Sequence, residues 1–253
     1  MEQLGCLVLH GFKSSSNSVN RVPVRLARHG IPYRMPLLRG HGTRPEDLQG
    51  VTWHDWYADA SAALDDLRRE AKRIVIIGLS MGGLVSLHLT AANPQDVIGV
   101  ATVGAAIRFC DRRAPYARFI APFMPMVGNE NHDRGQGWAD PELGRRHNGY
   151  LRFPASAFVS LWRYARLVER QLPRVLAPLL IIHSRVDRTI PPEAATVIHR
   201  LAGSADKELV WFERSGHEML RDSEADGVLD EIERFVLARR AALEAAPGLA
   251  AKE

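Results

Sequence analysis

One ten-residue stretch, Ile74-Val75-Ile76-Ile77-Gly78-Leu79-Ser80-Met81-Gly82-Gly83, constrains the fold of this chain more than any other. Its first four residues are β-branched, apolar and uninterrupted by polar side chains, the pattern of a strand covered on both faces. Downstream, Leu84, Val85, Leu87, His88 and Leu89 recur at helical spacing up to the stop signal Asn93-Pro94. Between strand and helix the glycines around Ser80 permit a sharp, strained turn that lifts the hydroxyl out at the carboxyl end of a sheet, the setting in which a serine becomes a nucleophile. A glycine-rich turn that cradles phosphate would need the lysine of a Walker loop or G-x-G spacing, and neither is present.

The rest of the chain repeats the same alternation. Short apolar runs occur at residues 4–9, 31–35, 74–77, 97–103, 178–182 and 208–212. Helix-periodic stretches at 22–29, 55–69, 81–92, 193–201 and 223–240 separate most of them. In the second of these, Trp56, Ala60, Ala63, Leu64 and Leu67 form one apolar stripe. Such alternation predicts an α/β fold, a mostly parallel sheet with helices on both faces. About seventy residues between the runs ending near Gly104 and starting at Pro178 exceed any ordinary loop. The expected organisation is therefore a core of residues 1–104 and 174–243, a cap or lid insertion at 105–173 that closes with a helix over 155–170, and a disordered tail at 244–253.

With 253 residues, 46% of them hydrophobic, the chain is long enough to bury a substantial core. Its 33 Lys and Arg against 29 Asp and Glu leave a net charge of +4 spread along the sequence, so no nucleic-acid-binding stripe is expected. Cys6 and Cys110, the only two cysteines, read as reduced, partly buried thiols. No apolar stretch reaches eighteen residues and no signal-peptide pattern precedes residue 4, which predicts a cytoplasmic protein without stable membrane insertion. A monomer or homodimer is expected.

A serine hydroxyl is a poor nucleophile at neutral pH and needs a base, itself oriented by a carboxylate. Asp187, in Ser184-Arg185-Val186-Asp187-Arg188-Thr189-Ile190-Pro191, follows the run at 178–182, and His217, in Ser215-Gly216-His217, follows the last run. Ser80, Asp187, His217 is the order this chemistry takes on a doubly wound scaffold. His88 lies within a helix and His183 within or at the end of a strand, while His54, His132, His147 and His199 lack a glycine-flanked loop after a strand. Charge developing on the substrate oxygen requires preorganised amides. The Met81 amide at the helix N-terminus and the Phe12 amide in His10-Gly11-Phe12-Lys13 are the candidates for that oxyanion hole.

These segments, Leu7-Val8-Leu9-His10-Gly11-Phe12, Arg39-Gly40-His41-Gly42, Gly78-Leu79-Ser80-Met81-Gly82-Gly83, Asp187 and Ser215-Gly216-His217, resemble the α/β-hydrolase family, and within it bacterial carboxylesterases and monoacylglycerol lipases. The resemblance implies acyl-ester hydrolysis through an acyl-enzyme on Ser80, with no metal or organic cofactor, and a mainly structural Arg-Gly-His-Gly loop. One departure from the family pattern is expected at the start, where the first run begins at residue 4: without the two leading strands common in the fold, the sheet is expected to have about six or seven strands. Ser184 stands where relatives often carry glycine, so Asp187 is expected to shift slightly.

Substrate choice is expected to come from the insertion, where Phe119, Ile120, Phe123, Met124, Phe153, Phe158 and Trp162 favour an apolar acyl chain. That points to short- to medium-chain esters and monoacylglycerols as small-molecule substrates. Other reactions open to the same scaffold are removal of an N-terminal proline, carbon–carbon bond hydrolysis and thioester hydrolysis. Glu130, Asp133, Asp140 and Glu142 are the acidic groups that could hold a peptidase's substrate amine. A receptor that binds a small apolar ligand without turnover is the non-enzymatic alternative, although binding alone would not need Ser80, Asp187 and His217 together.

Overall fold

The computed structural model describes residues 3–111, 114–121 and 123–245. In chain order its elements are β1 (Leu4–Leu9), α1 (Arg21–Ala27), β2 (Tyr33–Arg34), α2 (Trp53–Leu67), β3 (Arg73–Leu79), α3 (Met81–Ala92), β4 (Val97–Val103), α4 (Ala117–Ile120), β5 (Met126–Gly128), α5 (Pro141–Arg145), β6 (Arg152–Pro154), α6 (Ala155–Gln171), β7 (Leu179–Ser184), α7 (Glu193–Leu201), β8 (Lys207–Phe212) and α8 (Ala225–Ala245). Six strands form one sheet in the order β2-β1-β3-β4-β7-β8, and every pairing in it is parallel. This is the expected α/β layout.

Because side chains alternate across a strand, consecutive residues of the apolar runs enter different cores. Ile74 and Ile76 of β3 pack with Leu64, Leu67 and Leu84, on the face covered by α2, α3, α6 and α7. Val75 and Ile77 pack with Leu26, Val228 and Ile232, on the face covered by α1 and α8. Burial on both sides explains why the runs show no polar alternation. Helix α2 starts where the sequence supplies a cap, with Asp55 Oδ2 accepting from the Thr52 amide at 2.8 Å. Its buried stripe is Trp56, Ala60, Leu64 and Leu67; Ala63 packs at the edge.

All parallel strands release their carboxyl ends at one edge. Strand β1 has β2 on one side and β3 on the other, so the order reverses there and opens a crevice of the kind in which doubly wound sheets place ligands. The segment between β4 and β7 carries α4, α5 and α6 and a two-stranded antiparallel sheet, β5 with β6, that is absent from the pattern of apolar runs. At three residues each, these strands are too short for a period-two signal. Helix α6 packs its buried Leu161, Tyr164, Ala165 and Val168 into the first core. The Arg108 guanidinium forms a two-pronged pair with the Glu169 carboxylate that ties the start of this segment to its closing helix.

Cys6 is fully buried in β1, whereas Cys110 is exposed rather than partly buried, and both are free thiols. Of the expected disordered tail, residues 244 and 245 end α8 and residues 246–253 lie outside those described. Among the described residues no helix is long and apolar enough to cross a membrane.

Candidate active site

Ser80 joins β3 to α3 at φ 54° and ψ −112°, a conformation that L-residues adopt only under constraint. Strain of this kind costs about 1–3 kcal/mol. It is offset by backbone hydrogen bonds: the Ser80 amide donates to Val103 O at 2.8 Å, and Ser80 O accepts from Gly83 N at 3.0 Å and Ala106 N at 3.2 Å. The glycines make the turn possible through space as well as torsion. A Cβ on Gly78 would lie 2.3 Å from Gly82 O, and one on Gly82 would lie 2.3 Å from Leu9 O. The end of β1 and the first turn of α3 therefore approach with no room for a side chain.

That approach brings the loop after β1 against the serine. A Cβ on Gly11 would sit 3.3 Å from Ser80 Cβ. Behind this loop His10 is buried, and its ring spans the chain: Nδ1–H donates to Gly11 O at 2.9 Å and Nε2 accepts from Leu38 N at 3.0 Å, partners that assign the neutral tautomer. Burial first, then the neighbouring His41, pushes the His10 pKa down to about 3. Burial also pushes His41 down to about 4. Its ring contacts those of His10, Phe12 and Trp56, so the Arg-Gly-His-Gly loop packs beneath the Phe12 segment.

Asp187 and His217 emerge from the neighbouring strand ends. His217 Nδ1 and Asp187 Oδ2 are 2.7 Å apart, while Asp187 Oδ1 accepts from Thr189 N and Ile190 N at 2.8 and 2.9 Å. Burial lowers the His217 pKa, but the charge and hydrogen bond of Asp187 outweigh it and hold the imidazole above its ordinary value. For Asp187, burial raises the pKa and the His217 charge, with three hydrogen bonds, brings it below the usual carboxylate value. The pair is thus arranged to keep its proton on histidine. Gly104, at the end of β4 with φ 54°, lies beneath both: a Cβ there would be 3.4 Å from the His217 ring and 3.6 Å from Asp187 Oδ2.

The serine at position 184 has a local use. Its Oγ donates to Ser215 O and accepts from Val186 N, so it ties the Asp187 loop to the His217 loop, and Asp187 still reaches the imidazole. His183 donates Nε2–H to Ile190 O at 3.1 Å, and burial lowers its pKa. His88, in α3, contacts the Tyr164 hydroxyl at 3.2 Å.

Ser80 and His217 share a cavity of about 560 Å³ with Phe12. Apolar side chains on it include Phe109, Val127, Leu151, Phe153, Phe158 and Leu161; polar ones include Lys13, Asp133, Arg134, His147 and Glu218. Of the residues expected to bind substrate, Phe153 and Phe158 line it. Phe119, Phe123, Met124 and Trp162 do not, and this corrects the reading of the insertion: Phe119, Phe123 and Met124 are 60%, 88% and 50% exposed, and Trp162 is half-buried outside the lining. The side chain of Ile120 lies outside the described residues. Apolar composition alone does not say which way a side chain on a short helix points. Of the four carboxylates weighed as amine holders, Asp133 lines the cavity but is paired with Arg145, while Glu130 pairs with Arg152, Glu142 with Arg145, and Asp140 caps α5, these three outside the lining.

Two residues outside the sequence motifs hold the site together. Asp222, buried behind the His217 loop, accepts from Gly216 N and Ala139 N through Oδ2 at 2.7 and 2.9 Å and from Ser223 N and Asp140 N through Oδ1 at 2.8 and 3.1 Å. One carboxylate thereby joins the His217 loop to the inserted segment 83 residues away. Glu224 accepts from Arg214 N and Ser215 N at 2.9 and 2.7 Å and steadies the approach to the same loop.

A family profile described as "Serine aminopeptidase, S33" matches residues 3–224. The chain belongs to this family. It is 28% identical over 234 residues to a "Thermostable monoacylglycerol lipase" of Bacillus sp. (strain H-257), covering 92% of this chain and 90% of that one. A "Carboxylesterase" of Bacillus subtilis (strain 168) is 25% identical over 91% of both chains. Among solved structures, one from a study of LipS and LipT, "two metagenome-derived lipolytic enzymes", superposes with a TM-score of 0.84 at 30% identity over 94% of each chain. The fold is that of the α/β-hydrolases.

Removing the Asp222 carboxylate should leave its buried amides without acceptors. Asp222→Ala is expected to lose on the order of 3 kcal/mol, a Tm lower by roughly 6–12 °C, with faster amide exchange at Gly216 and Ala139. A Tm within 2 °C of wild type, read by calorimetry, would show that the brace carries no load.

Proposed function

We propose that this protein is a serine hydrolase of carboxylic esters, in which Ser80 is the nucleophile, His217 the base and Asp187 its orienting carboxylate. The observation that carries this reading is a serine held at positive φ in the same cavity as an imidazole whose far nitrogen is bonded to a buried carboxylate. His217 takes the Ser80 proton as Oγ attacks the ester carbonyl. The oxyanion is met by the Met81 amide, at the start of α3 where N–H groups have no intrahelical acceptor, and by the Phe12 amide. His217 then returns the proton to the leaving alcohol, and water repeats the cycle on the acyl-enzyme. The names of the similar proteins, a monoacylglycerol lipase and a carboxylesterase, support the ester bond over a peptide bond. So does the placement of Glu130, Asp140 and Glu142 outside the cavity lining.

In this account residues 105–173 act as the cap, and the core comprises 1–104 and 174–243. The apolar wall of Phe109, Phe153, Phe158 and Leu161 receives the acyl chain. A volume near 560 Å³ falls within the range of small-molecule sites and suits short- to medium-chain esters and monoacylglycerols. The protein works without a cofactor, without nucleic acid and in the cytoplasm, as a monomer or homodimer.

Ser80→Ala should abolish hydrolysis of p-nitrophenyl esters, a loss of at least about 10³-fold in kcat. Turnover that survives the substitution would remove Ser80 from the chemistry. The base must be neutral to act, so the His217 pKa, held above its ordinary 6.5, places the acid limb of kcat/KM on the alkaline side of that value, and activity falls as pH drops through it. In Asp187→Asn the larger raising influence is gone while burial remains, and only the weaker pull of the Glu218 charge is left to raise the imidazole. The limb should then move to lower pH as the maximum falls by about 10³- to 10⁴-fold. An unmoved limb would mean that another group titrates.

A further inference from the structure

The Phe12 amide lies between two carbonyls that are each held. On one side Gly11 O accepts from His10, whose ring is anchored behind the loop. On the other, Lys13 O accepts from Tyr150 N at 2.6 Å. Lys13 itself sits at φ 66°, and Ser80 is the other non-glycine residue at positive φ among those described. Such torsions persist only where the surroundings over-determine them. Tyr150 reaches the same region a second time through its ring, whose hydroxyl accepts from Thr43 N at 2.9 Å and donates to Gly40 O at 3.3 Å. Those two residues flank His41, whose ring meets that of Phe12 with 5.9 Å between centroids. Phe153, on the strand that follows Tyr150, meets the Phe12 ring from another side at 5.2 Å. The chain ahead of Tyr150 is held in turn, because Arg134 Nη1 donates to His147 O and Gly149 O at 3.0 and 2.7 Å.

We infer that Tyr150 is a positioning residue for the Phe12 amide, through which the segment between β4 and β7 completes the oxyanion hole. This rests on the ester reading above, with Phe12 N as one of the two donors. A donor stabilises the oxyanion fully only when it already points at the place where charge develops; an amide that must first be ordered spends part of the hydrogen bond on its own placement. The loop after β1 cannot supply that order alone, since Gly11 leaves its torsions free on one flank and Lys13 is strained on the other. Lysine favours negative φ. With Lys13 O and the Gly40 to Thr43 loop released, Lys13 relaxes, the chain between Gly11 and Ser14 takes another path, and the Phe12 amide turns with it. Tyr150 prevents this by bonding both segments that enclose Phe12, one with its backbone and one with its hydroxyl. The Met81 amide belongs to α3 and owes nothing to Tyr150, so loss of the strap misplaces one donor and leaves the other.

The test uses p-nitrophenyl decanoate and two inhibitors. Tyr150→Phe keeps the ring and the backbone N–H and removes both hydroxyl bonds. Its kcat should fall by about tenfold with KM within about twofold of wild type, since acylation and deacylation both pass through the oxyanion. A decyl trifluoromethyl ketone mimics that state: its carbonyl carbon bonds to Ser80 Oγ, the carbonyl π pair becomes the oxyanion, and the serine proton passes to His217. Its inhibition constant should weaken by the same factor as kcat. 1-Decanol, which occupies the apolar wall without forming an oxyanion, should inhibit as it does wild type, and a merely structural role for Tyr150 would not separate the two inhibitors. Arg134→Met, which frees the backbone ahead of Tyr150, should reproduce the pattern and carries the test if the thermal melt shows Tyr150→Phe unfolded. An unchanged kcat in the folded variants, or equal weakening of the ketone and decanol, would overturn the inference while leaving the ester reading in place. Failure of wild type to turn over p-nitrophenyl decanoate would overturn both.

Discussion

The contact on which the site depends is between two backbones. Where β1 ends, Leu9 O lies so near Gly82 that a Cβ on that residue would be 2.3 Å from it, and where β3 ends Gly78 meets the same first turn of α3 equally closely. A helix seated this tightly on the carboxyl ends of two neighbouring strands leaves the connecting residue no relaxed torsions, and Ser80 is held at φ 54°. The same approach sets the Gly11 and Phe12 loop against the serine, with His10 pinned behind it between Gly11 O and Leu38 N. Parallel pairing then places the loops after β4, β7 and β8 at the same edge. Gly104, Asp187 and His217 come together there because strand order puts them side by side, although they are far apart in sequence.

A second layer of constraint comes from carboxylates that accept several amides at once. Asp187 serves His217, Thr189 and Ile190, while Asp222 serves amides on both the His217 loop and the inserted segment. Charged acceptors of backbone N–H groups are among the stronger hydrogen-bonding groups in proteins. They act beside apolar anchors of the same loops, Ile190 after Asp187 and Met219 and Leu220 after His217, which are buried in the two cores. The segment between β4 and β7 is therefore fastened where its two ends meet, by Arg108 with Glu169, and at its middle, by Asp222 with the amides of Ala139 and Asp140.

The core elements were legible in the sequence because their signal is local. The apolar runs at 4–9 and 97–103 and the periodic stretches at 81–92 and 193–201 coincide with β1, β4, α3 and α7, since burial on two faces or one stripe dictates the residue pattern directly. The G-x-S-x-G turn and the order of Asp187 and His217 were legible for the same reason. The cavity wall was not. Phe119 and Phe153 are alike in composition, yet one is exposed and the other lines the cavity, because direction depends on the backbone of a segment with few periodic positions. His147 carried no glycine-flanked signature and still reaches the cavity, and Asp222 finds a partner 83 residues away. Glu218 sits next to His217, and only the fold shows that its second oxygen is buried without a partner among the described residues.

The central claim is that Ser80 becomes covalently acylated. The most direct measurement is intact-protein and peptide mass spectrometry of enzyme mixed with p-nitrophenyl decanoate and quenched in acid within the first turnovers. One added decanoyl group, found on the peptide that contains Ser80, is the predicted result. Turnover with no adduct, or an adduct confined to another residue, would contradict the account.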